Sequence, residues 1–366
     1  MEHGARFGFL WIAPSPSRAA NMAIMRTKSE SVQGSALLSK RLFFAALLVA
    51  VLCSAAAYCA AQTGDPIETI RVDSDLVDLQ VNVLNHDASR PPLRLQPQDF
   101  LVLEDGVLQE ITFFAAAETP FDLVLLLDLS GSTANKLELI RKSSKRFVAA
   151  TRPTDRIAIV TFTDVARVVS KLTFDRDELI AAVETIEKPM GGTNFWDALR
   201  YVLDVVARPA PASRRSAVVV MTDGVDNALP DVSGEGSRTT FEELLNLVGH
   251  SNAIVFPIYL DTEKETVKRH LAPESAYEIA RSQLKQLADV SGTITYRADK
   301  LKDLESVYAQ VIRDLGTVYS IGYRPRDNSR DGKWHSVSVR LVNHPELIAR
   351  SRRGYYASTL SSGKPE

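Results

Sequence analysis

The run from Phe121 to Leu127 is apolar apart from Asp122, and it ends in Asp128-Leu129-Ser130-Gly131-Ser132-Thr133. Such a run suits a strand buried on both faces of a parallel sheet, not one with a wet face. In an open α/β sheet, ligands sit outside the carboxyl ends of the strands, where this Asp-x-Ser-x-Ser falls. One carboxylate and two hydroxyls at alternate positions offer hard oxygen donors turning around a point. That donor set suits Mg2+, Mn2+ or Ca2+ and not zinc or copper.

Strand and helix patterns alternate from residue 121 to 320. The expected fold is α/β, a doubly wound, mostly parallel sheet flanked by helices. Strands are expected at Leu123–Leu127, Ile157–Phe162, Ala217–Thr222, Ile254–Tyr259, Ile294–Tyr296 and Val318–Tyr323, with a short edge strand over Val165–Ser170. Helices are expected at Lys136–Ala150, Arg176–Ile186, Phe195–Ala207, Thr240–His250, Tyr277–Ser291 and Lys302–Leu315. Asp177 and Thr240 stand where N-caps belong.

Residues 63–117 and 324–358 read as β. Val77, Leu79, Val81 and Val83 alternate with Asp78, Gln80 and Asn82, giving a strand with one buried face. Arg90-Pro91-Pro92 breaks it; Phe100–Leu103 and Ile111–Phe114 follow around an Asp105-Gly106 turn. Val337, Val339 and Leu341 alternate with Ser336, Ser338 and Arg340. Neither flank can bury a core alone. They are expected to pair into a small β-sandwich, with 121–320 inserted between them and 359–366 as a loose tail. The arginines between Arg350 and Arg353 read as a solvated strand face. A formal net charge of -2 implies no general attraction to nucleic acid or anionic membrane.

Residues 1–62 read as a leader and signal peptide. Lys40-Arg41 precede the apolar Leu42–Leu52, and small residues follow from Ser54 to Ala61. Met22 and Met25 are alternative starts. Both cysteines, Cys53 and Cys59, lie here, so cleavage leaves a mature chain without a thiol. The expected location is secreted, periplasmic or cell-envelope. Uncleaved, Leu42–Ala61 is nearly long enough to act as a membrane anchor.

A hard cation takes about six oxygens, and Asp-x-Ser-x-Ser supplies three. Met190-Gly191-Gly192-Thr193-Asn194 adds a flexible glycine pair and a hydroxyl, and Thr222-Asp223-Gly224 ends an apolar strand with a carboxylate. Asp128, Ser130, Ser132, Thr193 and Asp223 can therefore meet at one ion. Helix capping explains any one of these residues but not the three motifs together.

Over about residues 121–320 the chain resembles the von Willebrand factor A domain, whose metal-ion-dependent adhesion site uses these three motifs. With Asp99-Phe100, Glu104-Asp105-Gly106, Tyr319–Tyr323 and Arg353-Gly354-Tyr355-Tyr356, it is similar to secreted von Willebrand A-related proteins frequent in Acidobacteria. The resemblance implies that Ser130 and Ser132 bind the ion directly, and that Thr193, Asp128 and Asp223 act directly or through water. It implies one open position for an acidic side chain of a protein partner. Mg2+ is expected, with Mn2+ or Ca2+ as alternatives. Ala134-Asn135-Lys136 stands where integrin-type members carry acidic residues, so no adjacent second cation site is expected. Asn194, Phe195, Trp196 and Asp226 are expected at the ligand-binding rim, Asp197 as a cap or packing residue, and Asp155 and Asp164 as loop residues.

The sequence contains no Gly-x-Ser-x-Gly, no Walker-type loop, no His-Glu-x-x-His and no Gly-x-Gly-x-x-Gly. His3, His86, His250, His270, His335 and His344 show no ligand spacing and read as solvated or packing residues. With no obvious general base at the site, an enzyme is not expected. The expected function is a secreted, metal-ion-dependent, adhesion-type protein-binding module. The alternatives are a metal-stabilised structural subunit of an envelope assembly and, behind it, a hydrolase.

Overall fold

The computed structural model describes residues 76–85, 94–133, 136–187, 191–207, 213–298, 303–327 and 331–357. The leader, both cysteines, the Arg90-Pro91-Pro92 break, Ala134-Asn135, Met190, Lys302 and the 359–366 tail lie outside the described residues. The chain divides into two units, Met1–Asp73 and Ser74–Glu366, and every described residue belongs to the second.

The N-terminal flank supplies β1 (Val77–Asn85), β2 (Phe100–Glu104), β3 (Val107–Gln109) and β4 (Ile111–Ala115). The middle of the chain then runs β5 (Phe121–Asp128), α1 (Leu137–Ala150), β6 (Arg156–Phe162), β7 (Ala166–Thr173), α2 (Arg176–Glu184) and α3 (Phe195–Tyr201). It continues with β8 (Arg215–Thr222), α4 (Phe241–His250), β9 (Ala253–Leu260), α5 (Glu263–Lys268), α6 (Glu274–Ser291), β10 (Tyr296–Ala298) and α7 (Asp303–Leu315). The C-terminal flank supplies β11 (Val318–Tyr323), β12 (Trp334–Leu341), β13 (Leu347–Arg350) and β14 (Gly354–Tyr356).

The central sheet has the order β10-β9-β8-β5-β6-β7. All its pairs are parallel except β7, an antiparallel edge. Every residue of β5, β8 and β9 is buried, which is why their sequences carry no polar alternation. Leu123, Leu125 and Leu127 face α1, α2 and α7 through Phe147, Leu179 and Val311. Val124 and Leu126 face α3, α4 and α6 through Leu199, Leu244 and Leu284. After β7 the chain crosses back to place β8 on the other side of β5. Loops leaving β5 and β8 therefore diverge, and a crevice opens at their carboxyl ends.

The opposite end of the sheet is tied by arginines. Asp122 accepts from Arg156 Nε at 2.8 Å and from Arg214 Nε at 2.6 Å. Burial raises the Asp122 carboxyl, but the two guanidiniums outweigh it and hold the group below the usual value. Arg215, 4 % exposed, donates to the carbonyls of Ala117 and Thr119 before β5 and to that of Val318 at the start of β11. One buried side chain thus grips both the entry to and the exit from the α/β region.

The flank strands interleave. One sheet has the order β13-β1-β11-β4 and the other β14-β12-β2-β3. Leu79, Val81, Phe100, Val102, Ile321, Tyr323 and Val337, drawn from both sheets, bury into one apolar cluster.

Four expectations need correction. Val318–Tyr323 does not extend the parallel sheet; it pairs antiparallel with β1 and β4. Its Tyr319, Ile321 and Tyr323 bury with Leu79, Val81 and Phe100 of the flank sheets instead of in the α/β core. The helix expected over Phe195–Ala207 stays α-helical to Tyr201 and widens into a π turn over Val202–Val206, where Ala207 N reaches back to Val202 O. Asp175, not Asp177, caps α2, its carboxylate accepting from the backbone of Asp177 and Glu178. The sixth strand of the sheet forms at Tyr296–Ala298, not Ile294–Tyr296, because Gly292 ends α6 in the left-handed region (φ 74°) and Thr293 is spent holding Val255 O. Thr240 does cap α4, with Glu243 completing a capping box.

Candidate functional site

The site grows from the end of β5. Asp128 is fully buried there. Its Oδ1 accepts from Ser130 N at 2.8 Å, and its Oδ2 accepts from Thr222 Oγ1, at the end of β8, at 2.6 Å. Thr133 Oγ1 donates to the carbonyls of Asp128 and Ser130, which winds the loop into a tight turn. The turn brings Ser130 Oγ within 3.0 Å of Ser132 Oγ. Ser132 Oγ then donates to Asp223 Oδ2 at 2.6 Å. Four of the five expected residues are joined in one network over the ends of β5 and β8.

Thr193 comes from the loop before α3. It is buried, and it lines a cavity of about 150 Å³ together with Ser132 and Asp223. Among the described residues, no hydrogen bond joins its hydroxyl to the other four. The loop is fixed by its backbone: Thr193 O accepts from Asn227 N at 2.8 Å, and Asn194 N donates to Thr163 O at 3.0 Å. Asp164 Oδ1 accepts from Gly192 N at 2.6 Å, so Asp164 organises this loop.

Electrostatics at the site are costly. Burial, and then the charge of Asp223, push the Asp128 carboxyl up to about 7. Burial also raises Asp223, against hydrogen bonds from Ser132 and Thr262. Among the described residues neither carboxylate forms an ion pair. Two buried acids close enough to oppose each other's ionisation are stabilised by a cation between them or by a proton.

A family model for the von Willebrand factor type A domain matches residues 122–310. The chain belongs to that family. The mouse calcium-activated chloride channel regulator 3A-1 is 24% identical over 255 residues, 63% of this chain and 25% of that protein. A UPF0353 protein of Nocardia farcinica (strain IFM 10152) is 24% identical over 206 residues, 53% of this chain and 61% of that one. The chain therefore spans a quarter and about three-fifths of these relatives. Among solved structures, BatB from Bacteroides thetaiotaomicron is similar at a TM-score of 0.41 and 14% identity, over 53% of this chain and 98% of that one.

The rim of this A domain differs from expectation. Phe195 is 1 % exposed and packs on Phe162; Trp196 is 7 % exposed and packs on Phe241. Asp226 is fully enclosed and accepts from Trp196 N, Ala228 N, Ser237 N and Ser237 Oγ. These three organise the loop floor and present nothing to a partner. Only Asn194 of the four stays partly accessible. Asp197 latches the same floor, accepting from Arg238 N and Thr239 N at 2.9 Å each.

Three residues behind the A domain site carry no role in the sequence reading. Thr222 orients Asp128, and Thr262 donates to Asp223 Oδ2 at 2.6 Å and lies 3.1 Å from Tyr277 OH. Lys136 is buried, donates to Asp261 O at 2.7 Å, and its charge lowers Asp223. Thr222 and Thr262 each stand at or just past a strand's carboxyl end, and that position is the signal that could have found them.

Proposed function

We propose that this chain is a metal-ion-dependent protein-binding module of the adhesion type. Asp128, Ser130, Ser132, Thr193 and Asp223 would hold one hard divalent cation, Mg2+ first and Mn2+ or Ca2+ next. The observation that carries this reading is a pair of buried carboxylates linked through two serine hydroxyls with no ion-pair partner among the described residues. All donors are oxygen, which fits a hard ion. Bound there, the cation supplies an electron-poor site able to accept an acidic side chain of a protein partner. The chain's own part is orientation: Thr222, Thr262 and the Ser130 and Val225 amides fix both carboxylates from behind.

We read the site as a binding site and not a catalytic one: its donor residues include no histidine and no other obvious general base. We read the two flank sheets as one β-sandwich carrying the A domain as an insert, supported by their shared core. The module would act outside the cytoplasm; the segment read as a signal lies outside the described residues, and among these no helix is long and apolar enough to cross a membrane.

Calorimetric titration of the full chain with Mg2+ tests the site. One equivalent should bind to the native chain and none to Asp128→Ala; unchanged affinity in that variant refutes the assignment. A pull-down from host envelope extract, in Mg2+ and in chelator, tests the adhesive role. Metal binding without Mg2+-dependent capture would leave a structural ion.

A further inference from the structure

A second cluster lies on the flank sheets, away from the A domain motifs. The β2–β3 turn is Asp105-Gly106, both at positive φ (47° and 81°), as a two-residue hairpin of this kind requires. The turn sets Glu104 and Asp105 against His335 of β12. His335 Nδ1 lies 2.9 Å from Asp105 Oδ2 and 3.4 Å from Glu104 Oε1, and the three atoms fall within 4.8 Å of one another.

Outside the cluster, the second oxygen of each carboxylate is hydrogen-bonded. Glu104 Oε2 accepts from Tyr323 OH at 2.6 Å and from Tyr355 OH at 3.1 Å. Asp105 Oδ1 accepts from Ser336 N and Ser336 Oγ at 2.8 Å each. His335 Nε2 is buried without a hydrogen bond and faces Asp331 Oδ1 at 3.7 Å, while the ring stacks on Tyr355. Glu104 is 4 % exposed, and among the described residues its Oε1 accepts no hydrogen bond. A buried carboxylate oxygen without a donor is expensive, and this one points into the cluster.

The geometry points to a transition-metal site of the zinc class, with Glu104 Oε1, Asp105 Oδ2 and His335 Nδ1 as ligands. One imidazole and two carboxylates match the nitrogen and oxygen donors zinc takes, with a fourth position left to solvent. Ligand atoms around tetrahedral zinc sit about 3.3 Å apart. The distances of 2.9 and 3.4 Å are already close to that spacing. A doubly charged ion would neutralise Glu104 and Asp105. Metal on Nδ1 leaves the proton on Nε2, which faces Asp331 Oδ1 at 3.7 Å, beyond hydrogen-bond length. The A domain motifs offer no histidine, so an imidazole ligand distinguishes this site from that one.

The test uses the untagged full chain, stripped with chelator and loaded with one equivalent of Zn2+. X-ray absorption at the zinc edge should show a single imidazole, absent in His335→Ala. Competition against a chromophoric chelator should show Zn2+ affinity falling at least tenfold in His335→Ala and in Asp105→Asn, and unchanged in Asp128→Ala. Asp105 is half-exposed, so its amide variant keeps the test alive if His335→Ala does not fold. No imidazole scattering, or scattering and affinity indifferent to His335 and Asp105, would leave a histidine–aspartate ion pair only and overturn the proposal.

Discussion

Ser132 Oγ donates to Asp223 Oδ2 at 2.6 Å and so joins two loops 91 residues apart. The backbone ladder sets the register of β5 and β8, and beyond its end this short bond and that of Thr222 to Asp128 tie the two loops together. The donors therefore need little rearrangement to surround an ion, and the residues behind them should matter nearly as much as the donors.

Removal of an orienting partner typically costs about 10–100-fold in metal affinity. Thr222→Val is expected within that range. Ser132→Ala removes a donor and the bridge together, and is expected to exceed it. Calorimetry with Mg2+ on the two variants checks the ordering; equal affinities would show that the bridge does not preorganise the site.

Metal should stabilise the A domain measurably. At 100 times Kd, a ligand that binds only the folded state adds about 2.7 kcal/mol. Urea unfolding in Mg2+ and in EDTA should differ by that order for the native chain and coincide for Asp128→Ala. Coincident curves in the native chain would speak against the site.

Legibility from sequence followed burial pattern. β5, β8 and β9 stand out because both faces are covered and their apolar cores, Leu123–Leu127, Ala217–Met221 and Ala253–Leu260, carry no polar alternation. The three site motifs were legible because each ends or follows such a strand. β11 lies in a different sheet from the one its sequence suggests because a buried strand reads alike in either, and its antiparallel partners β1 and β4 lie some 200 residues or more away. Phe195, Trp196 and Asp226 read as rim residues because sequence does not show which way a helix start or a loop faces. In the structure the first turn of α3 and the loop after β8 turn them inward onto Phe162, Phe241 and Ser237. His335 read as isolated because its carboxylates lie 230 or more residues away in sequence.

Acid should act through Asp122. Its carboxyl is held below its usual value of 3.8. A depressed folded-state value means stability present above 3.8 and lost as pH falls through the lower, folded one. Asp122→Asn is expected to cost about 2 kcal/mol at pH 7. The gap between native and variant urea midpoints should hold from pH 7 to about 4 and close below that. A gap that does not narrow as pH falls below 3.8 would contradict the assignment.

Arg215 should be a point of mechanical weakness. Burial drags its guanidinium down to about 9, yet it bonds three backbone carbonyls and lies 4.4 Å over the Phe121 ring. Arg215→Met leaves those carbonyls without this donor and is expected to destabilise by about 3 kcal/mol. Chemical denaturation reads the loss, and hydrogen exchange should place it first at residues 117–119 and 318. A variant as stable as the parent would mean water replaces the guanidinium at no cost.

The interleaving of the flanks imposes an order on biosynthesis. β1 lies between β13 and β11, and Gln80 waits for Ser320, 240 residues later, to be made. At about 5–20 residues per second the first strand stands unpaired for roughly 10–50 seconds. The inserted middle is complete before either edge of its frame can close. A nascent chain must therefore keep the unpaired apolar face of β1 from other chains until β11 and β13 have emerged.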